Sequence, residues 1–347
     1  MINTIIMTPY ELRYRDPDIK QPINIPTNEF TEGILKRKSI RRFDSTRKLP
    51  PGLLEYLIGV AQSSPTGSHA QSWSVVALET PEEKENFRSS LGWALDGTDP
   101  GNLFAFNECS IFLIWVADNY KIATAIEMVA NNEAPESVKV LNQLRNSDFN
   151  AKTGGAINRV SAEFEFDSSK HMEWLDQTNY NMRAVLDTAI AAQTFSLAAE
   201  SLGLGTLYMG SISHGNITAF KESINLPDRT NPLFGMCIGY EPKNGTDYQG
   251  QLTPGFCKEG VSEIFKNNPQ YNIKPRQHPD LVLHRGKYNK NIRPLLSRYN
   301  KIIMAYYASI GINLDYIQDY LVRKCLQRVI KTVDILQFMK DMGNKWK

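Results

Sequence analysis

Four stretches of the chain carry residue types and spacings that could do chemistry. The first is Arg37-Lys38-Ser39-Ile40-Arg41-Arg42-Phe43, where four cations and a hydroxyl fall within six positions. Such a cluster is most often a solvated basic turn. The functional alternative is an anion site, because guanidinium groups and a hydroxyl match phosphate oxygens in geometry and charge. The second is Ser63-Ser64-Pro65-Thr66-Gly67-Ser68-His69-Ala70-Gln71-Ser72-Trp73. Its small hydroxylated residues, proline and glycine make a loop whose backbone can approach a ligand closely, and it is longer than a plain helix-to-strand connection usually is. The third is Leu202-Gly203-Leu204-Gly205-Thr206-Leu207-Tyr208-Met209-Gly210-Ser211, mostly helix–strand punctuation, in which Gly210 and Ser211 at the strand end could face a ligand. The fourth is Lys274-Pro275-Arg276, where proline splays two cations apart.

The elements that must position these stretches read as follows. Asn28–Lys38 has helical spacing, opens near Thr27 and puts Phe30, Ile34 and Leu35 on one side. A second helix runs from Pro51 to Ser63, started by proline. Trp73–Leu78 and Ile111–Ala117 read as strands, the latter buried on both faces. Asn179 to about Leu202 is the strongest helix, apolar on almost every side and so expected to be central and buried, with Gly203 at its left-handed cap. Strands follow at Thr206–Met209 and Leu233–Gly239, with a short helix at Asn216–Ile224 between them. Helices at Ile292–Ala308 and about Asp315–Met342 close the chain. Residues 119–178 contain polar stretches such as Asn131–Glu136 and Ser147–Gly155 and read as an excursion with some helix rather than a second domain. The elements alternate without a regular βαβ rhythm, which predicts a single α+β domain over residues 1–347, with a C-terminal helical extension over 285–347.

Composition limits the function classes. The 347 residues are 41% hydrophobic and 22% charged, ordinary for a globular protein, and the net charge of +2 gives no reason to expect nucleic acid or an anionic membrane as partner. Cys109, Cys237, Cys257 and Cys325 form no C-x-x-C pair. Cys109 and Cys237 sit in or beside strand-like runs, where a thiol behaves as a small hydrophobe. The five histidines lack ligand spacing, so no metal site is expected. Met1–Met7 does not read as a signal peptide, and Ile111–Ala117 is too short to span a bilayer, so a cytoplasmic protein is expected.

Taken together the four stretches resemble the nitroreductase superfamily, and within it the branch of oxygen-insensitive NAD(P)H nitroreductases and FMN-dependent flavin reductases. Further matching stretches are Asp187-Thr188-Ala189-Ile190-Ala191-Ala192-Gln193, Ala198-Ala199-Glu200-Ser201-Leu202-Gly203-Leu204-Gly205, Pro232–Tyr240, Val282-Leu283-His284 and Tyr306-Tyr307. The resemblance covers roughly 28–118 and 179–345. It implies a mostly antiparallel central sheet flanked by helices, and an intertwined homodimer with FMN at its interface. Arg37, Lys38 and Ser39 would hold the ribityl phosphate region, and Lys274 and Arg276 would neutralise the phosphate from the other side. Arg41 would lie near the pyrimidine edge of the flavin, where a cation stabilises the reduced ring. Pro65, Thr66, Gly67 and His69 match the loop that reaches the flavin from the partner subunit. Asn102 matches a residue that hydrogen-bonds the ring, and the Gly210 peptide N–H, with Ser211 after it, would point at N5.

The implied activity is ping-pong transfer of hydride from NADH or NADPH, through N5 of FMN, to a nitroaromatic, quinone or flavin acceptor, with no side-chain nucleophile. Two alternatives stand beside it. The same fold hosts flavin fragmentation, dehalogenation and heterocycle dehydrogenation, and a non-catalytic flavin-binding protein is a third reading. The sequence departs from the branch in three places. Leu103 replaces a frequent glutamine, residues 119–178 are longer than the family segment near the pocket mouth, and Ile310 stands where the branch carries the arginine that receives the NADPH 2′-phosphate. The following Gly311-Ile312-Asn313-Leu314-Asp315 is not basic, so NADH is expected to serve at least as well as NADPH.

Overall fold

The structure is a computed structural model that describes residues 8–90, 100–131, 133, 168–210, 212, 220, 222–242 and 273–309. Ser211, Cys257, Cys325, Ile310, Asp315, the expected helix at Asp315–Met342 and most of the expected helix at Asn216–Ile224 lie outside the described residues.

Among the described residues, four strands form the centre: β1 (Trp73–Leu78), β2 (Ile111–Asp118), β3 (Gly205–Met209) and β4 (Thr230–Gly239). Their order is β1-β2-β4-β3, and every neighbouring pair is antiparallel. Every residue of β2 is buried, as a run apolar on both faces requires. β4 begins three residues earlier than its apolar run suggests and includes Pro232. Proline cannot donate to the ladder, and the register with β2 shifts between Trp115 and Val116, opposite Phe234 and Pro232, which leaves Leu233 as the extra residue of a bulge.

The α-helices among the described residues are α1 (Pro9–Tyr14), α2 (Glu29–Lys36), α3 (Leu53–Gln62), α4 (Pro81–Ser90), α5 (Pro100–Glu108), α6 (Tyr120–Ala130), α7 (Ser168–Leu175), α8 (Thr178–Ser201) and α9 (Arg293–Ser309). The cap of α2 is Asn28, whose side chain accepts from the Thr31 N–H, and the helix stops at Lys36, so Arg37 and Lys38 leave it. α6 and α7 are the described parts of the 119–178 excursion and share a small apolar cluster of Ala123, Ile126 and Leu175.

One face of the sheet packs Phe112, Phe87, Phe106 and Phe220, and the other packs Trp115, Leu113, Phe195 and Leu57. Cys109 and Cys237 are buried free thiols in the first of these layers, where small hydrophobes were expected. The expectation that α8 is buried on almost every side needs correction. Ala184, Ala191, Ala192, Phe195 and Ala199 face the sheet, but Met182, Leu186 and Ile190 are exposed. Composition gave α8 apolar residues all round, whereas a helix lying on one sheet covers only one of its faces. α8 ends at Gly203, whose φ of +77° is the left-handed conformation that terminates helices.

Candidate functional site

The basic stretch is held across the open end of β3 and β4. The Ile40 N–H donates to the Thr206 carbonyl at 3.0 Å and the Asp44 N–H to the Tyr240 carbonyl at 2.8 Å. Gly205 permits this approach, since a Cβ there would lie 2.6 Å from Cγ1 of Ile40. Arg37, at the C-terminus of α2, therefore turns its side chain toward the start of β3. Its Nη2 donates to the Thr206 hydroxyl at 3.2 Å, its Nε lies 3.2 Å from Oε1 of Glu200, and its guanidinium sits over the Tyr208 ring. Burial pushes the Glu200 carboxyl above its ordinary range, while hydrogen bonds from Thr206 and Ser196 and the charges of Arg37 and Arg13 pull the other way.

The Lys274-Pro275-Arg276 stretch reaches the same place from the far end of the chain. The Arg276 N–H donates to the carbonyl of Arg13 at 2.7 Å, and the Tyr299 hydroxyl donates to the Pro275 carbonyl at 3.1 Å. Lys274 lies over the ring of Tyr307. Arg13 is 9% exposed, and its Nη2 donates to the carbonyls of Leu35 and, at 2.7 Å, of Arg37. Burial, followed by the charges of Arg276 and Arg37, pushes its pKa down to about 10. The charges of Arg276 and Arg37 thus both oppose that of Arg13, with Glu200 offsetting part of the charge. A bound dianion such as a phosphate monoester relieves that repulsion and matches the donors. The residues present fit such a group.

The Pro65–His69 loop sits elsewhere on the same helix. The Gly67 N–H donates to Oδ1 of Asp187 at 3.0 Å, and the Gln71 N–H donates to the Thr66 hydroxyl at 3.2 Å. Ser68, His69 and Gln71 all hold positive φ, near 50–56°, a conformation costly for residues with a Cβ. Pro65, Gly67 and His69 are exposed. Asp187 and Glu200 are thirteen residues apart on α8, which a helical rise converts to about 20 Å. Within one chain the loop and the guanidinium cluster are therefore well separated.

The remaining expected residues are placed as follows. Lys38 pairs with Glu241 at 2.8 Å rather than joining the Arg13 cluster. Ser39, Arg41 and Asn102 are half-buried, the last on α5. Gly210 is exposed at the end of β3, four residues from Thr206, or about 13 Å along the strand. Arg42 is held by Glu108 through Nε and Nη2, with contacts of 2.6–2.9 Å.

Sequence reasoning missed Arg13, Glu200 and Asp187. Thr8-Pro9-Tyr10-Glu11 carries a readable signal, since Thr8 and Glu11 form a capping box with proline at the first turn. That places a helix, and Arg13 at its end. Glu200 and Asp187 lie in stretches already quoted as matching, but nothing local marks either as a partner of Arg37 or Gly67.

Replacing Asp187 by alanine is expected to release the Gly67 N–H and, with it, the strained Ser68–Gln71 backbone. Faster amide exchange at Gly67 and a stability loss of about 1–3 kcal/mol should follow, and Asp187→Asn, which keeps an acceptor, should lose less. Unchanged exchange in the alanine variant would show that the loop is held by other contacts.

The sequence model of the Nitroreductase family matches residues 34–240. The chain is 26% identical over 283 residues to an FMN reductase (NADPH) of Bacillus subtilis, covering 81% of this chain and 84% of that one. It is 32% identical over 161 residues to an oxygen-insensitive NADPH nitroreductase of Salmonella typhimurium, covering 46% and 55% of the two chains. The solved NfrA1 nitroreductase of B. subtilis superposes with a TM-score of 0.58 at 23% identity over 91% of this chain and 99% of that one, a likeness of fold. The α+β architecture, the cationic cradle at the start of β3 and the family match agree, and the chain belongs to the nitroreductase family.

Proposed function

We propose that this chain is an FMN-dependent oxidoreductase that takes hydride from a nicotinamide donor and passes it, by a ping-pong sequence, to a nitroaromatic, quinone or flavin acceptor. The observation that carries the reading is the convergence of the segments bearing Arg37 and Arg276 on the buried Arg13, a local excess of positive charge suited to a phosphate monoester. Bound FMN would supply a ring nitrogen, N5, able to accept a hydride and to donate it onward. Arg37 and Arg276 would hold its phosphate, and Ser39 and Lys274 lie on the same two segments. The exposed Gly210 at the far end of β3 would offer its peptide N–H to N5, and Arg41 would stabilise charge on the reduced ring. The roles of Lys38, Asn102 and Ser211 follow from the resemblance alone. A side-chain nucleophile or acid–base pair is not required, because the protein's task is to orient two rings and tune charge.

The site is completed, on this reading, by a second copy of the chain. The exposed residues Met182, Leu186 and Ile190 lie on α8, which also lines a groove of about 300 Å³ where Phe30, Tyr56, Val60, Leu197, Ala198 and Leu202 meet with Thr194 and Ser201. A mostly apolar exposed surface of this kind favours burial against a partner. The separation of the Pro65–His69 loop from Arg37 along α8 supports delivery of that loop across the interface.

The first test is direct. Purified protein should be yellow, sediment as a dimer and release FMN rather than FAD on denaturation; colourless protein that cannot be reconstituted with FMN would end the reading. The second concerns the donor. A bidentate cationic contact is what rewards the 2′-phosphate of NADPH, and Ile310 stands where that contact is expected. With one quinone acceptor, kcat/KM for NADH should equal or exceed that for NADPH. A preference for NADPH of about tenfold, equivalent to ~1.4 kcal/mol, would mean that another cation serves. Arg285, Lys287 and Lys290, all exposed before α9, would then be the ones to replace.

A further inference from the structure

The N-terminal segment through α1 lies outside the family-matched residues 34–240, yet it is tied into the site from both sides. α1 starts with a complete capping box, Ile19 is buried, and Asp16 and Asp18 are both held by Arg298 of α9. Arg15 lies over the Tyr306 ring on the same helix. At the centre of this segment, one residue touches both limbs of the cradle. The Arg13 side chain donates to the Leu35 and Arg37 carbonyls, where α2 ends and the basic stretch begins. Its own carbonyl accepts from the Arg276 N–H.

We propose that Arg13 is a positioning residue for the phosphate of the flavin nucleotide: it clasps the segment bearing Arg37 to the segment bearing Arg276, and so sets the spacing between their guanidinium groups. The inference rests on the FMN reading above. The physical basis is that the two limbs are 239 positions apart in sequence, from 37 to 276, and converge only where something holds both. Nη2 carries two N–H groups fixed in the guanidinium plane, so this one nitrogen can donate to both carbonyls at once. Those carbonyls terminate α2, where the unpaired oxygens of a helix end favour a cation. The buried charge of Arg13 also adds to the field that a phosphate would neutralise. That double duty explains why an arginine, and not a neutral donor, occupies a site shared with two other arginines.

The test compares two ligands that differ only in the phosphate. Flavin-free full-length protein is titrated with FMN and with riboflavin, following flavin fluorescence. Wild-type protein should bind FMN much more tightly than riboflavin. Arg13→Ala should weaken FMN by about tenfold or more and leave riboflavin unchanged, so that the preference for the phosphorylated ligand shrinks. Arg13→Lys keeps the charge but loses the fixed planar pair of Nη2 donors; it should also lose preference, by less, and serves if the alanine variant does not fold. If the FMN and riboflavin affinities fall in proportion, or neither falls, the clasp has no specific role at the phosphate, and the inference is overturned with the FMN reading intact. Wild-type protein that binds neither ligand, or binds both equally, takes down the FMN reading and this inference with it.

Discussion

Protein carrying Arg276→Ala should bind FMN roughly 10- to 150-fold more weakly than wild type, the consequence of losing about 1.5–3 kcal/mol from hydrogen bonds to a charged group. The side chain of Arg276 is exposed, so its removal deletes little packing. The main chain at this position is held independently, through the Arg276 N–H and the Arg13 carbonyl, and alanine keeps that bond. The change should therefore act on ligand affinity and leave the unfolding midpoint of the flavin-free protein nearly unchanged. Fluorescence titration of the flavin-free variant, paired with urea unfolding, separates the two. Undiminished affinity would remove Arg276 from the phosphate site. The same deletion at Arg37 would be harder to interpret, because it strands the half-buried Glu200 carboxylate that Arg37 pairs with.

The largest loss of stability should come from Phe112→Ala, at about 3–5 kcal/mol. The ring is fully buried and packs edge-on to Phe106 at 4.7 Å and against Phe87 at 5.7 Å. It also lies across the backbone of β4, where a Cβ on Gly235 would come within 2.1 Å of the ring. Gly235 pairs with Met209, the residue just before Gly210, so this packing supports the strand end that would face the flavin. A double-mutant cycle makes the argument sharper. Gly235→Ala should be destabilising in the wild-type background, since the ring must move from a close-packed position. It should cost less in a Phe112→Leu background, with a coupling in the range of about 0.5–3 kcal/mol for residues in contact. Strictly additive costs would show that the ring and the glycine are not the reason for each other.

Much of this fold was legible because its signals are local. Seven of the eight buried residues of β2, Ile111–Ala117, are an apolar run of the kind that a strand covered on both faces accommodates. The end of α8 was readable from Gly203, because capping depends on one residue and its immediate backbone; α2 was placed to within two residues at each end. The basic stretch, the loop after α3 and Lys274-Pro275-Arg276 were likewise visible as clusters of residue type. The capping box at Thr8 was equally local and was overlooked, and with it the helix that carries Arg13.

What each cluster touches is another matter, decided by the tertiary structure alone. Lys38 and Arg37 are adjacent and carry the same charge, yet one pairs with Glu241, 203 residues away, and the other reaches Thr206, 169 residues away. No periodicity or cap encodes such pairings. They arise when the sheet brings the ends of β3 and β4 against the segment after α2, with Gly205 leaving room for Ile40. The exposure of Met182, Leu186 and Ile190 was also beyond reach, because composition reports how apolar a helix is but not how many neighbours it has. The sequence by itself determined the four strands, the helices α2, α3, α8 and α9, the family and the chemical character of the four stretches. Only the folded chain decided that three arginines from three distant segments share one place, because long-range charge partners are chosen by packing and not by spacing along the chain.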